Sequence, residues 1–507
     1  MKILLTNPPT KLAIDSKHEK YFVRAGSRWP HSGIKKKGCR PHYLPFPFFL
    51  GYAAALLLKE GFEVKVIDGV AADLSPDEFL QKINELRPDV IFFEVTTPTI
   101  NYDLDLIRTI KKQLPESIIV VGGSHITTFA RQFLSSKDTG LGSEIDFALL
   151  GEYELTLLEL VKKLAARQEP DIPGLAWRQK ETIKLNQFRP LIEPLDILPP
   201  PARELFPLSD KPNPTVYWDG FCQYYPALQM QASRGCPYGC YFCLWPQVMY
   251  RSRKYRHFSV KRVVDEMEML VKKYGAKEIY FDDDDFTIDR NFVRQICEEI
   301  LSRNLKVKWS VMGDAINLDE DLIELMVQAG LVGIKYGIES ASPDILLNMG
   351  KPVNLKKASE VTRLLKKFGV KTHATFTLGL IGETKKTIAE TLDFARQLDC
   401  DTIQVSIATP FPGTKFFTIA ESNHWLKEFR WEDFDGKTKE IMELPTISGE
   451  ELQYQRKNFA RRWLLSKILK PGWLLRQIKF IFRAIRAQGL SFYWTKIKAA
   501  LVNELGL

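Results

Sequence analysis

Cysteine is scarce in this chain. Seven residues in 507, an odd number, argue against a disulfide framework and for a reducing compartment. Long apolar runs are missing as well: no window offers 18 consecutive apolar residues, so no transmembrane helix is expected. The opening MKILLTNPPT has one Lys and then a short strand-like run, which is not a secretory signal. Disorder and collagen-like repeats are excluded by 45% hydrophobic and 26% charged residues with ordinary Gly and Pro. The expectation is a cytoplasmic globular protein of roughly three domains.

Most of the chain also lacks an excess of either charge. The 71 Lys/Arg and 62 Asp/Glu give a net charge of +9. From Arg456 to Leu507 twelve bases face one acid, Glu504, a local net of +11 that leaves −2 for the rest. The basicity belongs to one tail, where it interleaves with Trp463, Leu465, Trp473, Phe482, Phe492, Tyr493 and Trp494. Three readings compete: a peripheral contact with anionic lipid at the inner membrane face, a helical cap on the body, and nucleic-acid binding, which the near-neutral body disfavours.

Over the first 160 residues, near-continuous apolar runs at 2–8, 63–68, 89–97, 117–123 and 146–152 alternate with helix-period segments at 47–60, 76–87, 102–114, 125–135 and 154–165. That alternation predicts a parallel sheet covered on both faces, a doubly wound, flavodoxin/Rossmann-like α/β domain over 1–165. Ligands of such domains sit at the carboxyl ends of the strands. Asn7-Pro8, Thr96-Thr97, Gly122-Gly123-Ser124-His125 and Gly151-Glu152 fall there, the glycines allowing close approach of a bulky ligand. No GxGxxG follows the first strand, which weakens a dinucleotide reading. Residues 166–228, with a hairpin-like piece and the Pro-rich DILPPPARELFPL, break the rhythm and are expected to form a linker. The segment 11–47 is long for a loop, and Tyr21, Arg24, Arg28, Trp29, His31, Arg40 and His42 make it a candidate substrate cover.

Cys236, Cys240 and Cys243 stand at spacing four then three in RGCPYGCYFC. Three thiolates on one tight loop can reach three corners of an iron–sulfur cube and leave the fourth iron open. Zinc would require a fourth protein ligand, and no CxxC or HxxxH partner is near. Buried, incidental thiols are the remaining alternative. After the loop, βα units recur with strands at 278–286, 308–314, 333–340, 373–383 and 402–414. With the strand entering the Cys loop these make six, a partial (β/α)6 TIM-type barrel over 229–425, followed by a helical basic/aromatic region over 426–507. Four adjacent acids, Asp282 to Asp285, repel, so at least one is expected to have a raised pKa or a cationic partner.

The CxxxCxΦC loop with Phe242 as its aromatic closely resembles the signature of the radical S-adenosylmethionine (SAM) superfamily. The NPP opening, the order of elements and the GGSH turn resemble the cobalamin-binding domain that precedes many such barrels. The resemblance covers residues 1–420 and leaves the tail unexplained. It implies a 4Fe–4S cluster on Cys236, Cys240 and Cys243, whose open iron chelates SAM, and a 5′-deoxyadenosyl radical formed with one electron from an external donor. It implies SAM contacts at Phe242, Asp283, Asp284, Glu339, Ser340 and Gly379. Cobalamin contacts are implied at Asn7, Pro8, Thr96, Thr97, Gly122, Gly123, Ser124, His125, Gly151 and Glu152. The DxHxxG loop that ligates cobalt in one corrinoid family is absent, so His125 is expected to be a polar contact rather than a ligand. A second cluster is not expected; Cys297 reads as core, whereas Cys39 and Cys222 are placed near the site. The leading function is a radical methyltransferase acting on an unactivated carbon of a hydrophobic or lipid-like small molecule. A non-methylating oxidative cyclase or rearrangement enzyme is the runner-up, and a corrinoid or iron–sulfur sensor the third reading.

Overall fold

The computed structural model describes residues 1–24, 30–38, 44–135, 144–179, 182–207, 216–217, 220–436 and 441–488. Cys39, Arg28, Trp29, Arg40, His42, Phe492, Tyr493 and Trp494 lie outside the described residues.

The apolar runs of the first 160 residues form five parallel strands, Lys2–Asn7, Glu63–Asp68, Val90–Glu94, Ile118–Gly122 and Phe147–Leu149. Their spatial order is second, first, third, fourth, fifth. This is the doubly wound order, with its switch point between Lys2–Asn7 and Val90–Glu94. Val90–Glu94 is buried at every position because helices cover both faces. Phe48–Lys59 and Glu154–Ala165 pack into one core, and Phe79, Ile83, Leu104, Ile107, Ile126 and Leu134 from the other three helices form a second. The hairpin foreseen between the domains is not free-standing. Leu175–Gln179 pairs antiparallel with Phe147–Leu149, and Thr182–Leu185 forms the sheet edge.

Six parallel strands in sequential order build the second sheet: Ala227–Met230, Glu278–Phe281, Lys308–Gly313, Leu331–Glu339, Lys371–Leu378 and Thr402–Ile407. The sheet stays open, a partial barrel. Its amino-terminal floor is sealed by Phe221, Cys222, Ala227 and Tyr280, with the Glu278 carboxylate accepting from the Gln223 and Tyr224 N–H groups at 2.6 and 2.8 Å. Cys222 therefore sits at the end opposite the Cys loop, not beside the site. Cys297 is core, as expected.

The segment read as a long loop contains a three-stranded antiparallel sheet, Lys11–Ala13, His18–Val23 and His31–Lys36. Lys35 is buried against Glu19 and, at 2.9 Å, Asp73. Arg24 is buried too, its guanidinium clamping both Asp103 oxygens at 2.7 Å. The tail begins with two helices, Gly449–Ile468 and Pro471–Gln488, that latch onto the barrel. The Trp463 and Trp473 indoles donate to Ala395 and Asp401 carbonyls at 3.1 and 3.0 Å. Among the described residues, no helix is long and apolar enough to cross a membrane.

Candidate active site

The Cys loop follows directly from the first barrel strand. Gly235 has a φ of +92°, and a Cβ there would overlap the Lys254 carbonyl oxygen, so only glycine turns the chain into Cys236. The acidic run at the end of the next strand holds this turn. Asp283 accepts from the Ala232 N–H at 2.9 Å and the Ser233 hydroxyl at 2.6 Å, and Asp284 accepts from the Gly235 N–H at 2.8 Å. Asp283 is buried in that duty, which fixes the turn leading into the Cys loop. Asp285 has its pKa pushed up to about 7 by burial and then by Asp314, so the expectation of a raised acid in this run holds.

Past Cys236 the loop lies along the segment 349–351. The Gly239 N–H donates to the Gly350 carbonyl at 3.0 Å and the Tyr241 N–H to the Met349 carbonyl at 3.3 Å. Gln247 gathers three loop carbonyls, those of Cys240, Tyr241 and Cys243, at 3.2, 2.9 and 2.7 Å. Cys236, Cys240 and Cys243 form no disulfide and are partly accessible, whereas Cys222, Cys297 and Cys400 are buried elsewhere. Among the described residues no trio of His, Cys, Asp or Glu converges as a single metal ion needs. Three thiols on one loop are the donor set a cluster with one open iron takes. Burial pushes the Cys236 thiol up to about 12 and the Cys240 thiol to about 11, so loading the site releases protons.

Lys351, not singled out from sequence, donates to the Gly337 carbonyl at 2.7 Å and pairs with Asp314 at 2.9 Å. Glu339 has a φ of +65°, and the Thr377 hydroxyl donates to its carboxylate at 2.6 Å. Burial raises its pKa while Lys351 opposes the rise. A Cβ on Gly337 would collide with Glu339 and meet the Lys351 amine at 2.9 Å, so the glycine makes room for this acid–base pair beside Cys240. Ser340 is buried, its hydroxyl accepting from the Ser342 N–H at 3.2 Å and 3.2 Å from the Thr391 hydroxyl; it shapes the turn after Glu339. Gly379, at φ +79°, ends the Lys371–Leu378 strand with Leu452 of the tail against it. Phe242 is half-buried, 5.7 Å from the Tyr241 ring centre.

At the carboxyl edge of the first sheet, the Asn7 amide donates to Asp68 at 2.9 Å while its carbonyl oxygen is buried without a partner. The Thr97 hydroxyl lies 3.1 Å from His125 Nδ1, and Nε2 is buried without a partner. Phe129, Phe133 and Trp431 enclose the imidazole at 4.9–5.2 Å, and burial lowers its pKa to about 3. The ring is walled in, and its burial favours the neutral form. Thr96 is buried, 3.2 Å from the Thr99 hydroxyl. Pro8 and Ser124 are buried at the same edge.

Four residues assigned to this edge are held closely by other parts of the protein. A Cβ on Gly122 would meet the Phe92 ring at 2.8 Å, and one on Gly123, at φ +111°, would overlap the Val95 carbonyl. Protein, not ligand, makes those glycines necessary. Glu152 is clamped by Arg256 at 2.8 and 2.9 Å, by Arg234 at 3.3 Å and by the Ile192 N–H at 3.0 Å. Both its oxygens are engaged, and they tie the first sheet to the root of the Cys loop. Glu154 completes the network at 2.7 Å from Arg234. Gly151, at φ +70°, faces the Met249 carbonyl, where a Cβ would stand 2.9 Å away.

Residues 43–161 match the B12 binding domain and residues 230–395 the radical SAM superfamily. An uncharacterized methyltransferase of Pyrococcus horikoshii is 31% identical over 480 residues, 94% of this chain and 95% of that protein. The anaerobic magnesium-protoporphyrin IX monomethyl ester cyclase of Cereibacter sphaeroides is 28% identical over 84% of this chain and 68% of its own. The fold is that of the radical SAM methyltransferase TsrM from Kitasatospora setae, solved with cobalamin and a 4Fe–4S cluster (TM-score 0.62, 19% identity, 84% of this chain and 79% of that one). Fold and matches define a radical SAM enzyme whose cofactors are a 4Fe–4S cluster, SAM and cobalamin. The chain belongs to the cobalamin-binding radical SAM family, and the sensor reading falls away.

Proposed function

We propose that the protein methylates an unactivated carbon of a hydrophobic, lipid-like small molecule, with peripheral attachment of its terminal region to the inner membrane face and single electrons from an external donor. The observation that carries the reading is that the carboxyl ends of both sheets meet. The Thr128 hydroxyl donates to the Pro412 carbonyl at 3.4 Å, Trp431 packs edge-on against His125 with ring centres 5.0 Å apart, and Gly151 backs onto Met249, six residues past Cys243. Cys236, Cys240 and Cys243 would hold the cluster, with Glu339, Lys351 and Phe242 beside the SAM it chelates. Asn7, Pro8, Thr96, Thr97, Ser124 and His125 would line the corrinoid edge, where the orphaned Asn7 oxygen and His125 Nε2 are groups a polar cofactor satisfies. When bound, these cofactors supply a radical initiator and a transferable methyl group. The chain's share is to close one compartment over both edges and keep water from it.

The test is the product ratio of the anaerobically reconstituted enzyme. Equal amounts of S-adenosylhomocysteine and 5′-deoxyadenosine are expected. Deoxyadenosine without homocysteine formation would instead favour the oxidative-cyclase reading, which the likeness to the Cereibacter enzyme keeps in play.

A further inference from the structure

The floor of the barrel, away from both cofactor edges, holds a cavity of about 670 Å³. Lys277, Lys306 and Lys308 reach it from the amino-terminal ends of barrel strands, and Arg483 and Arg486 from the terminal helix. All five are exposed, and no carboxylate lines the cavity among the described residues. Like charges repel, so five bases converging without an acid leave a field that an anion answers. Arg483 is oriented by a 3.0 Å hydrogen bond to the Gln223 side-chain oxygen. Leu301, Leu305 and Val307 supply an apolar wall.

The same helix, Pro471–Gln488, has two faces. One is latched to the barrel through Trp473, Arg476 and Gln477, all bonded to Asp401 at 2.7–3.1 Å. The other leaves Leu475, Ile478 and Phe482 exposed at 61%, 39% and 67%, with Leu469 at the preceding joint exposed at 84%. Spacings of three and four put Leu475, Ile478 and Phe482 on one stripe, with Lys479 and Arg486 along its flank. Nucleic acid would use the bases but leave the stripe in water. A bilayer carrying anionic phosphate headgroups uses both.

We propose that this face docks on an anionic phospholipid surface, the stripe entering the acyl boundary and one lipid phosphate occupying the basic cavity. The proposal rests on the attachment just inferred and gives it a place: the barrel floor would face the membrane.

Co-sedimentation of the full-length holoenzyme with vesicles tests it, comparing pure phosphatidylcholine with phosphatidylcholine–phosphatidylglycerol mixtures. Lys306→Gln with Lys308→Gln should weaken partitioning onto the anionic vesicles about five-fold for each base removed. Leu475→Ser with Phe482→Ser should weaken it on anionic vesicles at high salt, where the wild type retains its apolar share. If the lysine pair binds like wild type, the cavity has no part in docking, though attachment stands. If wild type ignores anionic vesicles, attachment itself is wrong. Self-association that the Leu475/Phe482 variant abolishes, in place of vesicle binding, would make a second copy the occupant and overturn the proposal. The methyl-transfer reading is judged separately by its product ratio.

Discussion

Arg234 connects the two halves of the molecule through one side chain. It is fully buried, paired with Glu152 and Glu154, and lies 4.3 Å from the Phe49 ring centre. Arg234→Met removes the cation and leaves the buried Glu154 carboxylate without its partner, while Glu152 keeps Arg256, at a cost of about 3–5 kcal/mol. A lower urea midpoint should report that loss. His125 gives a pH signature. Its folded pKa, lowered to about 3, lies below the unfolded value near 6.5, so its contribution is present above pH 6.5 and is lost as pH falls toward 3. Denaturation at pH 6.5 and pH 5 should show His125→Gln losing less stability than wild type, by up to about 1.4 kcal/mol per pH unit. The thiol trio was legible at this scale because cluster ligands are close in sequence. The bonds of Glu152 to Arg256 and of Asp283 to Ala232 were not legible, because they join residues 104 and 51 apart, a distance over which sequence spacing carries no information.

Among elements, the turn Trp245–Met249 after the Cys loop matters most. Gln247 within it satisfies three loop carbonyls at once and, through its side-chain oxygen, accepts from the Lys415 N–H at 2.8 Å. Gln247→Leu keeps the volume and removes the donors, costing about 1–3 kcal/mol in the loop. Iron and sulfide retained after anaerobic reconstitution should fall, while circular dichroism stays unchanged. The parallel strands were readable because burial on both faces demands apolar runs. The sheet at 11–36 was not. Its strands are rich in Lys, His and Glu, and ion pairs such as Lys35–Glu19 and Lys20–Asp435 do the work that apolar contact does elsewhere. The helical reading of the tail survives in Gly449–Ile468 and Pro471–Gln488; one face of the second helix caps the barrel, and the other leaves Leu475, Ile478 and Phe482 exposed.

On the scale of the molecule, the order of a doubly wound sheet, an open barrel and a helical end followed from strand and helix periodicities alone. How the two sheets face each other did not, because it depends on contacts such as Thr128–Pro412 and Ser32–Asp435, separated by 284 and 403 residues. In the proposed function that facing brings the two cofactor edges together, and the chemistry begins with the Cys loop. The most direct measurement is therefore 5′-deoxyadenosine released from SAM by the anaerobically reconstituted, chemically reduced enzyme, beside Cys236→Ala, Cys240→Ala and Cys243→Ala combined. Release by the wild type and none by the triple variant is the expected result, with both folded by circular dichroism. Equal release by the two proteins, or none by a cluster-loaded wild type, would contradict it.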